Sequence, residues 1–418
     1  MNSAASSPQE AIPLLKDLYD HIILEQIPRR PPYGGYVDRE HPFALDEHGY
    51  YTAYMALLRY TYSLPNVAKS WSEDGLQELA HALLVRLADH KIAASAPIDF
   101  EDIANSWLSD VHKTFPEHTC FTPIVGLAVE QPLQVGAVRF LPLEQELARL
   151  RANAPSEWAE ELHPFRDCLA SSSVVAEWRK AAEVIRQRAE EALNVLRFLG
   201  SLVWWNQPTK HIYVAGRERK RISYTPCFDT TGHQSSVGAS EYDPVPFRVD
   251  SEFLIHAQFY RFDQISQMLM SPSPSEIQHS LLTAIQWYGD ATQDLTPLFA
   301  FVKYYVAIEA ALKKPGEWAK SVIPRRLSVL ISPWSAEDQQ LMEKDIGDMI
   351  DERNSVLHTG QPVKSNPETL AWSARIMARQ CLHQLRERIS SQNLTSKDEL
   401  IAWVADQNRR FLTATPWR

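Results

Sequence analysis

Toward the end of the chain, the run DERNSVLHTG sets an arginine, an amide and an imidazole close together, at Arg353, Asn354 and His358. The surrounding residues read as one helix from Ser335, where Ser335 and Asp338 make a capping-box-like pair, to His358, with Thr359, Gly360 and Pro362 stopping it. Its apolar stripe runs through Ile346, Ile350 and Leu357, with Met349 beside it, and Arg353 fills the position the spacing requires between Ile350 and Leu357. An arginine on an apolar stripe must pair with an acid or point into a cleft, because an unpaired buried charge costs several kcal/mol. Asn354 and His358 are four apart and share a helix face, and the Arg353 side chain is long enough to reach the same opening. An imidazole in that company suits an acid or base working near neutral pH.

Other helices must hold this constellation. In FVKYYVAIEAAL, Glu309 interrupts an apolar stretch between Ile308 and Leu312. A carboxylate and a guanidinium on neighbouring helices are natural partners, so Glu309 is expected to orient the site. Its helix opens at Thr296 with Pro297 in the first position and runs to about Lys314. Glu276 to Gln293 is amphipathic, and a later helix takes Asn366 as its cap, Pro367 as its first residue and ends near Ile389. Lys320, Arg325 and Arg326 fall in the connection before the motif helix, where they either line a basic cleft or belong to a solvated loop.

The earlier part of the chain has a different texture. Residues 8–118 read as helix and loop, and Ile27 to Tyr36 (IPRRPPYGGY) lies extended, as an ordering loop or as the lip of a groove. FTPIVGLAVE and QVGAVRFLPL predict two or three strands with a turn near Pro132, and a further strand pair is expected at His211 to Val214 and Arg221 to Thr225. Between them a helix over Ser173 to Leu199 carries Val175, Trp178, Ala182, Ile185, Ala189, Ala192, Leu196 and Leu199 at helical spacing, with Gly200 placed to end it. Thr230 to Pro246 lacks periodicity and is read as a linker. The fold class is therefore α+β: a mixed α/β N-terminal region over residues 1–245, followed by an all-α antiparallel helical bundle over 250–418.

At the motif the chain resembles a known family. R-N-x-x-x-H in DERNSVLHTG, with WYGDA and YYVAIEAAL upstream, is similar to the HEPN superfamily, specifically the Apea-like HEPN domains of bacterial anti-phage proteins, over about residues 275–390. That resemblance implies a bundle that dimerises so that two motif helices face one another across a shared cleft, and RNA (tRNA or mRNA) as substrate. It also implies an endoribonuclease that works without metal or other cofactor. His358 would move the proton of a ribose 2′-OH or of the leaving 5′-oxygen, Arg353 would hold the phosphate, and Asn354 would orient one of them. The ends left would be 2′,3′-cyclic phosphates. One branch of the superfamily is regulated at a tyrosine two residues beyond the motif histidine; Gly360 stands there, so that mode of control is not expected.

Bulk properties exclude other classes. At 418 residues the chain is too long for a single core, and 44% hydrophobic residues with twelve Trp describe a globular protein. A net charge of −10 speaks against nucleic-acid binding over the whole surface but permits a local basic cleft. Four scattered Cys indicate a reducing, cytoplasmic setting, and neither a leader nor a membrane-spanning run is expected. His112, His118 and Cys120 lack a fourth ligand at metal-site spacing, and the RERKR run from Arg217 to Arg221 is either a solvated hairpin tip or an RNA contact. No phosphate-cradling glycine motif or nucleophile elbow occurs. Two functional classes remain, a ribonuclease in anti-phage defence or abortive infection and a non-catalytic HEPN module for dimerisation or binding. Beside them stands a purely structural role in which Arg353 and His358 close a helix end.

Overall fold

Apolar side chains gather into separate cores in the first and second parts of the chain. The computed structural model describes residues 7–24, 43–46, 49–93, 97–146, 148, 168–204, 209, 211–215, 224–228, 234–238, 246–331 and 336–413. The chain divides into two compact units, Met1–Cys120 with Ser173–Ile185, and Phe121–Ser172 with Arg186–Arg418. The division expected near residues 245–250 is not where the units part. Strands expected to belong with the N-terminal half share one continuous core with the helices that follow, as Ile124, Phe140, Leu196 and Phe247 join Ile285, Phe301 and Leu385.

The first unit contains α1 (Pro8–Asp20), the short paired strands β1 (Ile22–Ile23) and β2 (Ala44–Leu45), a π-helical turn at Gly49–Tyr54, α2 (Met55–Ser63), α3 (Val67–Ser70), α4 (Glu73–Ala93) and α5 (Phe100–Val111). The Ser7 side chain caps α1 and Asp99 caps α5, each accepting from first-turn N–H groups. Leu15, Leu18, Leu57, Leu84 and Trp107 form its core.

Strands β3 (Glu117–Val125), β4 (Leu127–Val129), β5 (Leu133–Val135), β6 (Val138–Pro142) and β7 (Cys168–Val175) follow, with the predicted turn at Pro132 falling between β4 and β5. Helix α6 (Trp178–Val203) starts later and ends later than expected. Ser173 to Val175 lie in β7, and Val175 and Trp178, expected on the buried stripe, are exposed. Gly200 does not end the helix: a Cβ there would come within 2.9 Å of the Phe247 ring, so the residue is small to admit a close neighbour. Next come β8 (Tyr213–Val214), β9 (Tyr224–Phe228), β10 (Gln234–Gly238) and β11 (Phe247–Val249).

The expected pairing of 211–214 with 221–225 is replaced. β8 pairs antiparallel with β3, β9 pairs with β10 inside the stretch read as linker, and β11 pairs parallel with β4. The main sheet has the order β5-β6-β7-β3-β8.

The remaining elements are helical: α7 (Ser251–Phe259), α8 (Phe262–Met270), α9 (Glu276–Thr292), α10 (Pro297–Leu312), α11 (Ala319–Ile331), α12 (Ala336–Thr359), α13 (Pro367–Gln392) and α14 (Lys397–Thr413). Of the helix starts expected from sequence, those at Pro297 and Asn366 hold their places. Ser275 and Gln278 form a reciprocal capping box at α9, and the Asn366 side chain accepts from Glu368 and Thr369 at α13. Thr296 precedes Pro297 at α10 without making a side-chain cap. α10 is the central helix, packed between α9 and α13 and touching α11 and α12, and it presents Phe301, Tyr305, Ile308 and Leu312 to the core. The α+β class holds. The segment Ile27 to Tyr36, the run Arg217 to Arg221 and the capping residue Ser335 lie outside the described residues.

Candidate functional site

The C-terminal turn of α10 ends inside the protein, where its free carbonyls need donors. Two cations supply them. Arg326 Nη1 donates to the Leu312 carbonyl at 2.8 Å, and Lys397 Nζ donates to the carbonyls of Ala310 at 2.9 Å and Lys313 at 2.6 Å. Burial pushes the Lys397 ammonium below its ordinary pKa, a tendency opposed by Glu276. Arg326 is itself clasped by Glu317, at 2.6 and 2.7 Å through its two terminal nitrogens, and these bonds hold the Glu317 carboxyl down to about 2. Positive charge at a helix C-terminus also suits the helix dipole.

With its end fixed, α10 turns Tyr305 and Glu309, one helical turn apart, toward Arg353 of α12. Arg353 Nη2 donates to Glu309 Oε2 at 3.4 Å, and its guanidinium lies 5.4 Å from the centroid of the Tyr305 ring. Arg353 Nη1 donates to Asn354 Oδ1 at 3.1 Å. The Arg353 and Glu309 side chains are 23% and 17% exposed, so the pair is shielded yet reachable from solvent. Arg353 Nε and the Tyr305 hydroxyl are buried with no hydrogen-bond partner among the described residues. Burial, reinforced by Glu309, raises the Tyr305 pKa and keeps the phenol neutral.

The buried stripe of α12 runs through Ile346, Met349 and Ile350 to Val356, so Arg353 does interrupt it as expected. Leu357 does not belong to it, being 52% exposed; the helix places Val356, one residue earlier, against the core. His358 is exposed next to Leu357 and makes no hydrogen bond among the described residues. The chain beyond it is wired back to the helix. Gly360, at φ +75°, donates to the Val356 carbonyl, and Thr359 Oγ1 donates to the Ser355 carbonyl at 2.8 Å. The buried Glu352 carboxylate accepts from the backbone N–H groups of Val363 at 2.6 Å and Lys364 at 2.8 Å.

Arg353, Asn354 and Glu309 thus come together, and His358 sits one turn beyond Asn354 on that residue's face of the helix, with no hydrogen bond to them. The expected basic connection is instead helix α11. In it Lys320 pairs with Asp351 at 2.6 Å on the surface and Arg325 is exposed. Arg326 is buried, with its charge committed to Glu317 and the end of α10. Two residues at the site were not anticipated, Tyr305 and Glu352. The first stands four residues before Glu309 and the second directly before Arg353, and helical spacing was the available signal.

Among the described residues, no group of three or more His, Cys, Asp and Glu is placed to hold a metal ion. No helix among them is long and apolar enough to cross a membrane. No known family, curated protein or solved structure matches the chain.

Proposed function

We propose that the protein is an endoribonuclease of the HEPN type, with Arg353, Asn354, Glu309 and His358 as its site and RNA as its substrate. The observation that carries this reading is a shielded guanidinium, contacted by Glu309, Asn354 and the Tyr305 ring, on a helix whose exposed His358 shares a face with Asn354. A guanidinium so held is preorganised for an anion that arrives from solvent. An exposed imidazole within reach of a bound substrate can serve as a general acid or base.

In this mechanism His358 takes the proton of a ribose 2′-OH. The 2′-oxygen attacks the adjacent phosphorus, the bond to the 5′-oxygen breaks, and a protonated acid completes the leaving hydroxyl. Arg353 faces the negative charge that builds on the phosphoryl oxygens, while Glu309 and Asn354 fix its plane. The products are a 2′,3′-cyclic phosphate and a 5′-hydroxyl end. Removing one proton and supplying another are two tasks, and a second copy of the chain would bring a second His358 to the same cleft. A homodimer that brings two motif helices together is part of this proposal. A role in anti-phage defence or abortive infection, with tRNA or mRNA as target, fits such an activity.

The test is incubation of purified protein and its His358→Ala variant with total bacterial RNA in EDTA, with mapping of the cut ends. Cyclic-phosphate ends from the wild type and intact RNA from the variant are the expected outcome, with a loss of about 10²- to 10⁴-fold. Equal cutting by both proteins would remove His358 from the mechanism and sink the proposal.

A further inference from the structure

Tyr305 has no place in the R-N-x-x-x-H pattern, yet its ring lies against the Arg353 guanidinium. It is fully buried on the central helix, its ring centroid lies 5.4 Å from the guanidinium carbon, and its hydroxyl has no partner among the described residues. A buried hydroxyl left unbonded is destabilising, so hydrogen bonding does not account for the residue. Its ring face does. A guanidinium over an aromatic ring is attracted by the ring quadrupole, most strongly where water is excluded, and Arg353 is only 23% exposed.

Two restraints on Arg353 remain loose without the ring. The Glu309 contact, at 3.4 Å, is long for an ion pair, and Asn354 is the next residue on the same helix. The Tyr305 ring is a further contact to the guanidinium from α10.

We infer that Tyr305 is a positioning residue that holds the Arg353 guanidinium through its aromatic face and not through its hydroxyl. The inference rests on the ribonuclease reading above. Because the ring acts on an interaction that strengthens as charge develops on phosphate, its loss lowers kcat and leaves KM nearly unchanged.

The experiment replaces Tyr305 with Phe and then with phenylalanines carrying increasing numbers of ring fluorines. These keep the volume almost constant while weakening the ring's hold on a cation. Cleavage of a short RNA is measured together with thermal unfolding. Tyr305→Phe should keep cleavage within about threefold of the wild type. Successive fluorines should lower kcat stepwise to about tenfold, with KM within about twofold, as expected for a shielded cation–π contact. In an Arg353→Ala background the series should flatten, since the ring then has no cation to position.

A large loss in Tyr305→Phe would assign the role to the hydroxyl and overturn the inference. So would a fluorine series with constant kcat in a wild-type protein that cleaves RNA, while leaving the ribonuclease reading intact. A wild-type protein that cleaves no RNA would remove both together.

Discussion

Arg326 on α11 and Arg353 on α12 belong to the same bundle and both reach toward α10, but they are bound in opposite ways. Arg326 is buried, makes two short bonds to one carboxylate and a third to a backbone carbonyl, and so has both terminal nitrogens engaged. Arg353 has one long bond to a carboxylate, one to the neighbouring amide, an aromatic face beneath it, and a quarter of its side chain in solvent. A guanidinium that serves the fold is enclosed by acceptors, because every unmet hydrogen bond in the interior is destabilising. A guanidinium meant for an external anion has to be held without being consumed. The contrast separates two arginines that look alike in sequence, since each stands among apolar residues on a helix.

Two substitutions test that separation. The larger effect is expected from Arg326→Ala, which strips Glu317 of its partner and uncovers the end of α10. A loss of about 3–5 kcal/mol in unfolding free energy should follow, read by denaturant titration. A protein with unchanged stability would mean that the clasp is not structural. Arg353→Ala should do the reverse. Cleavage should fall about 10²- to 10³-fold, the usual consequence of removing one donor aimed at developing charge, while stability falls by only about 1–2 kcal/mol. If Arg353→Ala unfolds the protein as readily as Arg326→Ala does, the two arginines are alike and the distinction fails.

The helical part of this arrangement was legible because caps and periodicity act locally. Pro297 and Asn366 each mark a helix start by satisfying or forgoing particular backbone N–H groups, and the helices begin there. Arg353 was legible for a similar reason, as a charge at a position that helical spacing sends inward. The strands were harder. β8 joins β3 across most of the preceding sheet region, and β11 joins β4 in parallel, and a chain of short apolar runs carries no mark of such distant partners. Arg326 was misread because its neighbour Pro324 and the nearby Pro315 suggest a loop, while the proline is accommodated inside α11. Tyr305 escaped notice because an aromatic residue on a buried stripe looks like ordinary core until the guanidinium beside it is seen.

Acid gives the gentlest way to open the clasp. The Arg326 guanidinium, helped by the Lys314 N–H, holds the folded-state pKa of Glu317 at about 2, against an ordinary value of 4.5. Between those values the unfolded chain binds a proton that the folded protein excludes, so stability must rise with pH across that window. The contribution of Glu317 is therefore complete above about pH 5 and is lost as the pH falls toward 2. Its upper limit is about 3 kcal/mol, and solvent contact at the 25% exposed carboxylate reduces this to about 1–2 kcal/mol. Unfolding free energies of wild type and Glu317→Gln should differ most at neutral pH and converge toward pH 2. A difference that stays constant over that range would mean that Glu317 is not held ionised by Arg326, and the enclosed arginine would then be no better satisfied than the one at the site.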